Sequence, residues 1–195
     1  MASLQPIRNI GVFAASSEAI DNAYRLAARD LGAAIGQRGL TLVYGGGNIG
    51  LMGVCARAVR ENGGRVVGVI PERLVDLELA WTEADELVKT RDLRDRKAVM
   101  ESRSDGFIVL PGGPGTLDEL FEVLTLKQLG YFDKPVVLLN VEGFFDPLLA
   151  FIGGIAALGF MRQSALDLFG VTFSAEAALD YVSNYIPRDP PPAWF

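Results

Sequence analysis

The apolar residues of this chain are gathered into short runs that are separated by longer amphipathic segments. Five runs of four or five residues are almost continuously apolar, which is the pattern of strands covered on both faces. The predicted strands are residues 10–13, 40–44, 66–70, 107–110 and 136–139, with a weaker strand near Val171. These runs predict the buried strands of one sheet.

The segments between the strands have the length and the apolar spacing of helices. Predicted helices cover residues 19–37, 51–61, 93–103, 117–129, 147–158 and 175–185. Repeated strand–helix–strand order predicts an α/β fold with a doubly wound parallel sheet flanked by helices. Ligands of such sheets bind beyond the carboxyl ends of the strands, so chemistry is expected in the turns after Phe13, Tyr44, Leu110 and Leu139.

The chain of 195 residues has the size of a single domain. We expect residues 1–186 to form this domain and residues 187–195, which are rich in proline, to form an extended tail. The amino-terminal sequence lacks the apolar core of a signal peptide. The longest apolar run, residues 148–161, has 14 residues against the ~20 of a membrane-spanning helix, and it is expected to be a buried helix.

Composition removes several classes of function. The chain has no histidine, which excludes Ser-His-Asp triads, Cys-His dyads and HExxH zinc sites within it. Its single cysteine, Cys55, allows no intrachain disulfide and no cysteine zinc cluster, so we expect a cytoplasmic protein. The net charge of −6 has the wrong sign for holding a nucleic acid polymer or an anionic membrane by bulk attraction. Any bound phosphate must therefore be held by local groups.

A first glycine-rich loop follows the predicted strand 40–44. It satisfies the GxGxxG pattern and opens a helix, where backbone N–H groups approach the phosphates of a dinucleotide. An acidic ribose partner is expected about 20 residues further on. Glu72 lies 22 residues after Gly50, but it follows Pro71, outside the strand. A tight turn with close helix packing is the alternative explanation for the glycines, which are Gly45, Gly46, Gly47, Gly50 and Gly53.

A second glycine-rich loop follows the predicted strand 107–110. Its backbone is expected to form a fixed, open concavity because three glycines and two prolines lie between Leu110 and Thr116. Thr116 and Glu119 have the spacing of a capping box, in which each side chain satisfies exposed N–H groups at the start of a helix. The alternative is that Glu119 lies beside a ribose and serves catalysis. The three glycines are Gly112, Gly113 and Gly115.

A basic turn covers residues 91–97 and precedes an apolar helix. Four cations lie within it. Asp92 and Arg96, like Lys97 and Glu101, are four residues apart, so ordinary ion pairs on a solvated helix face explain much of the pattern. The alternative is that a phosphorylated substrate needs a local cation in this acidic protein, and a guanidinium supplies directional donors.

Taken together, these motifs resemble the LONELY GUY family of cytokinin-activating phosphoribohydrolases. The matching segments are YGGGxxGLMG at residues 44–53, GVIP at 68–71, RK at 96–97, PGGxGTxxE at 111–119 and QLG at 128–130. The resemblance covers nearly the whole chain. It implies a Rossmann-like nucleotide-binding domain, usually dimeric, that needs no cofactor or metal ion. The reaction it implies is hydrolysis of N6-substituted adenosine 5'-monophosphates to the free base and ribose 5-phosphate.

The resemblance also implies roles for individual residues. Arg96 and Glu119 take the catalytic positions: Glu119 orients and deprotonates the attacking water, and Arg96 stabilises the leaving base or fixes the pose of the nucleotide. The backbone N–H groups of the second glycine loop hold the 5'-phosphate. The substrate-binding residues implied are Ser16, Ser17, Gly45, Gly46, Gly47, Arg96, Lys97, Gly112, Gly113, Gly115 and Thr116.

Two departures from the family pattern and two rival functions stay open at this stage. Leu93 and Arg94 stand where the family commonly has Met-His, and Ala15 stands where it commonly has Gly. A non-catalytic molybdenum-cofactor carrier and an NAD-dependent oxidoreductase are the rivals, and the retained Arg96 and Glu119 favour hydrolysis over the carrier. Lysine decarboxylation, an older label of such proteins, needs a Schiff-base lysine in a cofactor pocket, and neither glycine loop contains a lysine.

Overall fold

Strands and helices alternate along residues 7–77 and 79–187, the part of the chain that the computed structural model describes. The strands are β1 (Asn9–Phe13), β2 (Thr41–Tyr44), β3 (Arg65–Pro71), β4 (Glu86–Thr90), β5 (Gly106–Val109), β6 (Val136–Leu139) and β7 (Gly170–Thr172). The α-helices are α1 (Asn22–Gln37), α2 (Gly50–Glu61), α3 (Glu72–Asp76), α4 (Leu93–Arg103), α5 (Pro114–Gln128), α6 (Asp146–Ala157) and α7 (Ala175–Ser183). Two 3-10 helices cover Val141–Gly143 and Gln163–Leu168.

All strands pair in parallel in one sheet of order β4-β3-β2-β1-β5-β6-β7. The central strand β1 lies between β2 and β5, and Val12 is in register with Tyr44 on one side and Ile108 on the other. The strand order reverses at this point, which is where a crevice opens at the carboxyl edge of a doubly wound sheet. The predicted α/β fold with a doubly wound parallel sheet is confirmed.

The sheet separates two apolar cores. One core contains buried side chains of α1, α2 and α7, such as Leu31, Cys55 and Leu179. The other contains buried side chains of α4 and α5, such as Met100 and Leu120. Helices α4 and α5 therefore lie on the same face of the sheet, and their amino-terminal ends follow strands that run to the same edge.

Besides the two 3-10 helices, one strand and one short α-helix were not predicted from the sequence. The strand β4 has the sequence ELVKT and is mostly half-buried, because it is the edge strand and pairs with β3 alone. Its apolar run is too short to predict a strand. The helix α3 has five residues and none of them is buried. The predicted strands and longer helices all occur, with bounds shifted by up to three residues.

The prediction that residues 148–161 form a buried helix is wrong. The helix α6 ends at Ala157, and its buried residues are Ile152 and Ala156 alone. The side chains of Phe151, Leu158 and Phe160 are 63%, 76% and 83% exposed. An apolar composition does not say how many faces of a helix its neighbours cover, and α6 packs mainly on the 3-10 helix Gln163–Leu168.

No helix among the described residues is both long enough and apolar enough to cross a membrane. The predicted proline-rich tail, residues 187–195, lies outside the described residues from position 188 onward.

Candidate active site

The loop after β1 connects the two glycine-rich loops at the carboxyl edge of the sheet. The backbone N–H of Ala15 donates to the carbonyl oxygen of Pro111 at 3.2 Å. The carbonyl oxygen of Ala15 accepts from the N–H groups of Leu51 at 2.9 Å and Met52 at 3.3 Å, in the first turn of α2. The first donors of α2 are therefore satisfied by protein backbone.

This arrangement favours the packing explanation of the first glycine loop over dinucleotide binding. Gly50 has φ +62°, and a Cβ atom on it would lie 2.5 Å from the carbonyl carbon of Ser16. Glycine is thus required for close approach of the two loops. Glu72, the residue expected near a ribose, is exposed on the first turn of α3.

The guanidinium of Arg96 is held in a fixed position by the loops around it. Helix α4 begins one turn before it, and the side chain of Asp92 caps the helix by accepting from Arg94 N and Asp95 N, both at 2.9 Å. Arg96 Nε donates to the carbonyl oxygen of Val69 at the end of β3, at 3.1 Å. A Cβ atom on Gly45 would overlap Arg96 Nη2, so the guanidinium lies directly against the backbone of the first glycine loop.

The same guanidinium pairs with the carboxylate of Glu119. Arg96 Nη1 donates to Glu119 Oε1 at 2.6 Å. The two side chains are 13% and 7% exposed, so the pair is shielded from bulk water. The ion pair of Arg96 with Asp92 that four-residue spacing suggested does not form; Asp92 is the helix cap instead.

The capping-box explanation of Glu119 is wrong. Helix α5 begins at Pro114 with Gly113 as its N-cap, and no side chain caps it. Proline favours the first helical position because its ring fixes φ there and its missing N–H is not needed. Thr116 and Glu119 consequently lie inside the helix, three residues later than a capping box requires.

Burial changes the acidity of Glu119. It raises the pKa of the carboxyl above its ordinary value, and the charge and hydrogen bond of Arg96 only partly oppose this shift. A carboxylate with a raised pKa is a better proton acceptor at neutral pH than an exposed one. Glu119 therefore combines a fixed position with a pKa that is shifted in the direction that favours proton acceptance.

The second glycine loop leaves open space in front of α5. A Cβ atom on Gly113 or on Gly115 would have no other atom within 4 Å, whereas one on Gly112 would overlap Thr116 Oγ1. The first N–H groups of a helix have no partner within it, and they attract an anion to its positive end. This turn can receive a phosphate, although Thr116 itself is only 4% exposed and packs beneath Gly112.

The remaining side chains of the predicted site differ in their exposure and in their partners. Ser16 and Ser17 are exposed in the loop that bridges the glycine turns. Lys97 is paired within the protein, because its Nζ lies 2.9 Å from Asp118 Oδ2 and 2.6 Å from Glu122 Oε2, both on α5. The predicted substrate contacts of these residues stay predictions.

Leu93 and Arg94, the residues that depart from the family pattern, are exposed in the first turn of α4. The sequence did not indicate that the Val69 carbonyl orients Arg96, nor that Lys97 pairs across to α5. Arg96 also comes from the turn after β4, which is not one of the four turns predicted to carry chemistry. The signals for it were the basic composition of residues 91–97 and the RK motif at residues 96–97.

Solved structures with the same fold include proteins that bind the molybdenum cofactor. The molybdenum cofactor carrier protein of Chlamydomonas reinhardtii has a TM-score of 0.67 and 22% identity, covering 89% of this chain and 94% of that one. The molybdenum cofactor binding protein of Rippkaea orientalis has a TM-score of 0.68 and 24% identity, covering 91% and 96%. These likenesses show the Rossmann-like fold.

Sequence relatives are considerably more similar. Cytokinin riboside 5'-monophosphate phosphoribohydrolase LOG3 of Arabidopsis thaliana is 43% identical over 180 residues, covering 92% of this chain and 84% of the relative. The enzyme of the same description named LOG1, from the same plant, is 44% identical over 181 residues, covering 93% and 85%. Residues 52–182 match the family described as "Possible lysine decarboxylase". The chain belongs to this family, and within it to the LONELY GUY phosphoribohydrolases that its motifs resemble.

Proposed function

We propose that this protein hydrolyses the N-glycosidic bond of N6-substituted adenosine 5'-monophosphates and releases the free base and ribose 5-phosphate. The observation that carries the proposal is the buried pair of Glu119 and Arg96, joined at 2.6 Å beside an open glycine turn. Relatives that are 43% and 44% identical over most of the chain have names that describe this activity.

The pair suits the charge that develops in this reaction. Breaking an N-ribosidic bond places positive charge on the anomeric carbon, as in glycoside hydrolysis, so a carboxylate near that carbon stabilises the transition state. Water adds its oxygen to this carbon, and one of its protons passes to Glu119. The bond to the base nitrogen breaks, its electrons go to the base, and the base takes up a proton. Arg96 stabilises the charge on the leaving base or fixes the pose of the nucleotide.

The second glycine loop supplies the site for the 5'-phosphate. Gly113 and Gly115 border open space at the amino-terminal end of α5, a helix of 15 residues. Contacts to the phosphate are remote from the breaking bond, and their binding energy contributes to catalysis only for substrates that carry the phosphate. The dephosphorylated riboside is therefore expected to have a lower kcat/KM.

We also propose that the protein is a cytoplasmic homodimer and that it binds neither a nucleic acid polymer nor a membrane. Apolar side chains exposed on and after α6, with Phe151 63% and Phe160 83% exposed, support an interface with a second copy. The single cysteine, which is buried, supports a reducing compartment.

The rival functions have less support in the site. The molybdenum-cofactor carriers share the fold at 22% and 24% identity. A carrier catalyses no reaction and therefore does not need a buried carboxylate with a raised pKa. An NAD-dependent oxidoreductase would use the first donors of α2, which bond to Ala15 instead. For lysine decarboxylation, Lys97 lies nearest to the pair in sequence, and its amine is paired with two carboxylates.

Liquid chromatography of the bases released from AMP and from its N6-isopentenyl derivative tests the proposal. We expect the wild-type protein to release adenine or isopentenyladenine together with ribose 5-phosphate, and to release less from isopentenyladenosine, which lacks the phosphate. Equal kcat/KM values for nucleotide and riboside would contradict the phosphate site. No base released from either nucleotide would overturn the hydrolase proposal and favour the carrier.

A further inference from the structure

Helices α4 and α5 are joined by two adjacent ion pairs. Arg96 pairs with Glu119, and the next residue of α4, Lys97, pairs with Asp118, the preceding residue of α5. Lys97 also reaches Glu122, one turn further along α5, at 2.6 Å. The pair in the candidate active site thus has a second cross-link immediately beside it.

The second cross-link is partly buried and strongly charged. The side chain of Lys97 is 14% exposed. Burial alone would lower the pKa of Lys97, but hydrogen bonds and attraction from Glu122 and Asp118 raise it above its ordinary value. The ammonium group therefore stays charged and is held by α5. A phosphate would have to compete for the Lys97 ammonium group with Asp118 and Glu122, whose carboxylates already contact that group.

Arg96, Lys97 and their partners join α4 to α5 across the gap between the two helices. Each helix packs mainly on the sheet and on shorter elements, and close backbone contacts between α4 and α5 are few. Long side chains such as Lys97 bridge the gap. Because Arg96 and Glu119 meet across the same gap, a change in its width would separate them.

We propose that Lys97 is a positioning residue for the Arg96–Glu119 pair and does not bind substrate. This inference rests on the proposed function of that pair, and it replaces the substrate-binding role that the family resemblance implied for Lys97. Lys97 acts through the two carboxylates on α5, which keep Glu119 at hydrogen-bond distance from Arg96. The two residues of the Arg-Lys dipeptide then have different roles. Arg96 contacts the reacting groups, and Lys97 fixes α5, the helix that carries Glu119.

A substitution series at Lys97 distinguishes the two roles. Lys97→Met keeps most of the apolar stem but removes the charge, and we expect kcat to fall at least about tenfold with KM within about twofold, because small displacements of catalytic groups are costly. Lys97→Arg can still reach both carboxylates and should restore most of kcat. A rise in KM at constant kcat would contradict the inference and support substrate binding.

The matched control lies at the other end of the same helix. Arg103 pairs with Glu86 on β4, so Arg103→Met also removes one ion pair of α4, but far from Glu119. We expect Arg103→Met to keep the wild-type kcat. If Lys97→Met and Arg103→Met had the same kcat, Lys97 would contribute only to stability, and the inference would be wrong.

The partners on α5 provide a second test that does not need Lys97→Met to be well folded. The double variant Asp118→Asn, Glu122→Gln removes both carboxylates, and we expect the same loss of kcat at constant KM. Adding Lys97→Met to this variant should cause little further loss, because residues of one network are not additive. Independent, multiplying losses would overturn the inference.

A measurement without substrate separates failure of this inference from failure of the proposed function. Arg96 Nε–H donates to the Val69 carbonyl, so its exchange with solvent in ¹⁵N NMR spectra reports how firmly the guanidinium is held. We expect Lys97→Met to accelerate this exchange at least about tenfold, as local opening becomes easier, and Lys97→Arg to leave it near the wild-type rate. An unchanged rate in Lys97→Met would refute the positioning role. An inactive wild-type enzyme would refute only the hydrolase proposal.

Discussion

At the scale of single residues, the site depends on one guanidinium that is held from three directions. Arg96 contacts the Val69 carbonyl, the Glu119 carboxylate and the backbone at Gly45. The sequence could predict which residues matter, because the motifs contain both Arg96 and Glu119. It could not predict that they touch, since 23 residues, including the strand β5, separate them along the chain.

The contact at Gly45 predicts a large effect of a small substitution. In Gly45→Ala the new methyl group would overlap Arg96 Nη2 and force the guanidinium away from Glu119. We expect kcat for base release to fall at least about tenfold, as for other small displacements of catalytic groups. Gly154→Ala is the control, because a Cβ atom there meets no atom within 4 Å. Equal activity of the two variants would show that Arg96 need not occupy this position.

At the scale of elements, helix starts determine what the motif residues can do. Asp92 caps α4 and places Arg96 one turn inside it, and Pro114 starts α5 early enough to put Glu119 beyond the cap. The capping box failed because the spacing of Thr116 and Glu119 does not say where the helix begins. Similarly, β4 was not predicted, because an edge strand needs fewer apolar residues than a central one.

Between α4 and α5, Glu101 gives the helix pair a dependence on pH. Burial and the Glu122 carboxylate raise the pKa of Glu101 to about 7, against attraction from Lys97 and Lys134. In the unfolded chain, the pKa of a glutamate carboxyl is ~4.3. The folded protein therefore binds an extra proton between these two values, and stability decreases as pH rises through that interval.

We predict that Glu101→Gln, which cannot ionise, removes this loss of stability. Its Tm should come close to that of the wild type at about pH 4, below the interval, and exceed it at about pH 8, above the interval. Thermal unfolding followed by circular dichroism at both pH values measures the difference. If the difference in Tm between Glu101→Gln and the wild type were the same at both pH values, the pKa of Glu101 would not be raised in the folded protein.

At the scale of the whole molecule, the doubly wound parallel sheet could be anticipated from the alternation of strands and helices, but the coverage of its outer helices could not. The run that predicts a buried helix forms α6, whose Leu158 at the carboxyl end is 76% exposed. Sequence records that residues are apolar, whereas their burial depends on what packs against them, including a second copy of the chain.

We predict that the protein is a dimer in solution and that this apolar surface forms the interface. Light scattering at micromolar concentration should return twice the chain mass of 21.0 kDa. A two-fold interface is the simplest closed assembly. The variants Phe151→Asp and Phe160→Asp place charges on the surface and should shift the mass toward one chain. A wild-type particle of 21.0 kDa would refute the dimer.

The proposed reaction depends on Glu119 acting as a base and not merely as a partner of Arg96. Glu119→Gln keeps the shape and an oxygen that can accept from Arg96 Nη1, but it removes the negative charge and the proton acceptor. Because burial favours the neutral form of Glu119, we expect the neutral glutamine to maintain the fold.

The most direct measurement is therefore base release by Glu119→Gln and by the wild type, assayed side by side with AMP and its isopentenyl derivative. We expect the variant to keep its Tm and its nucleotide binding, and to lose base release by at least about a hundredfold, because a positioned general base contributes about 10²- to 10⁴-fold. Near-normal turnover in a folded Glu119→Gln protein would contradict the account and require another catalytic residue.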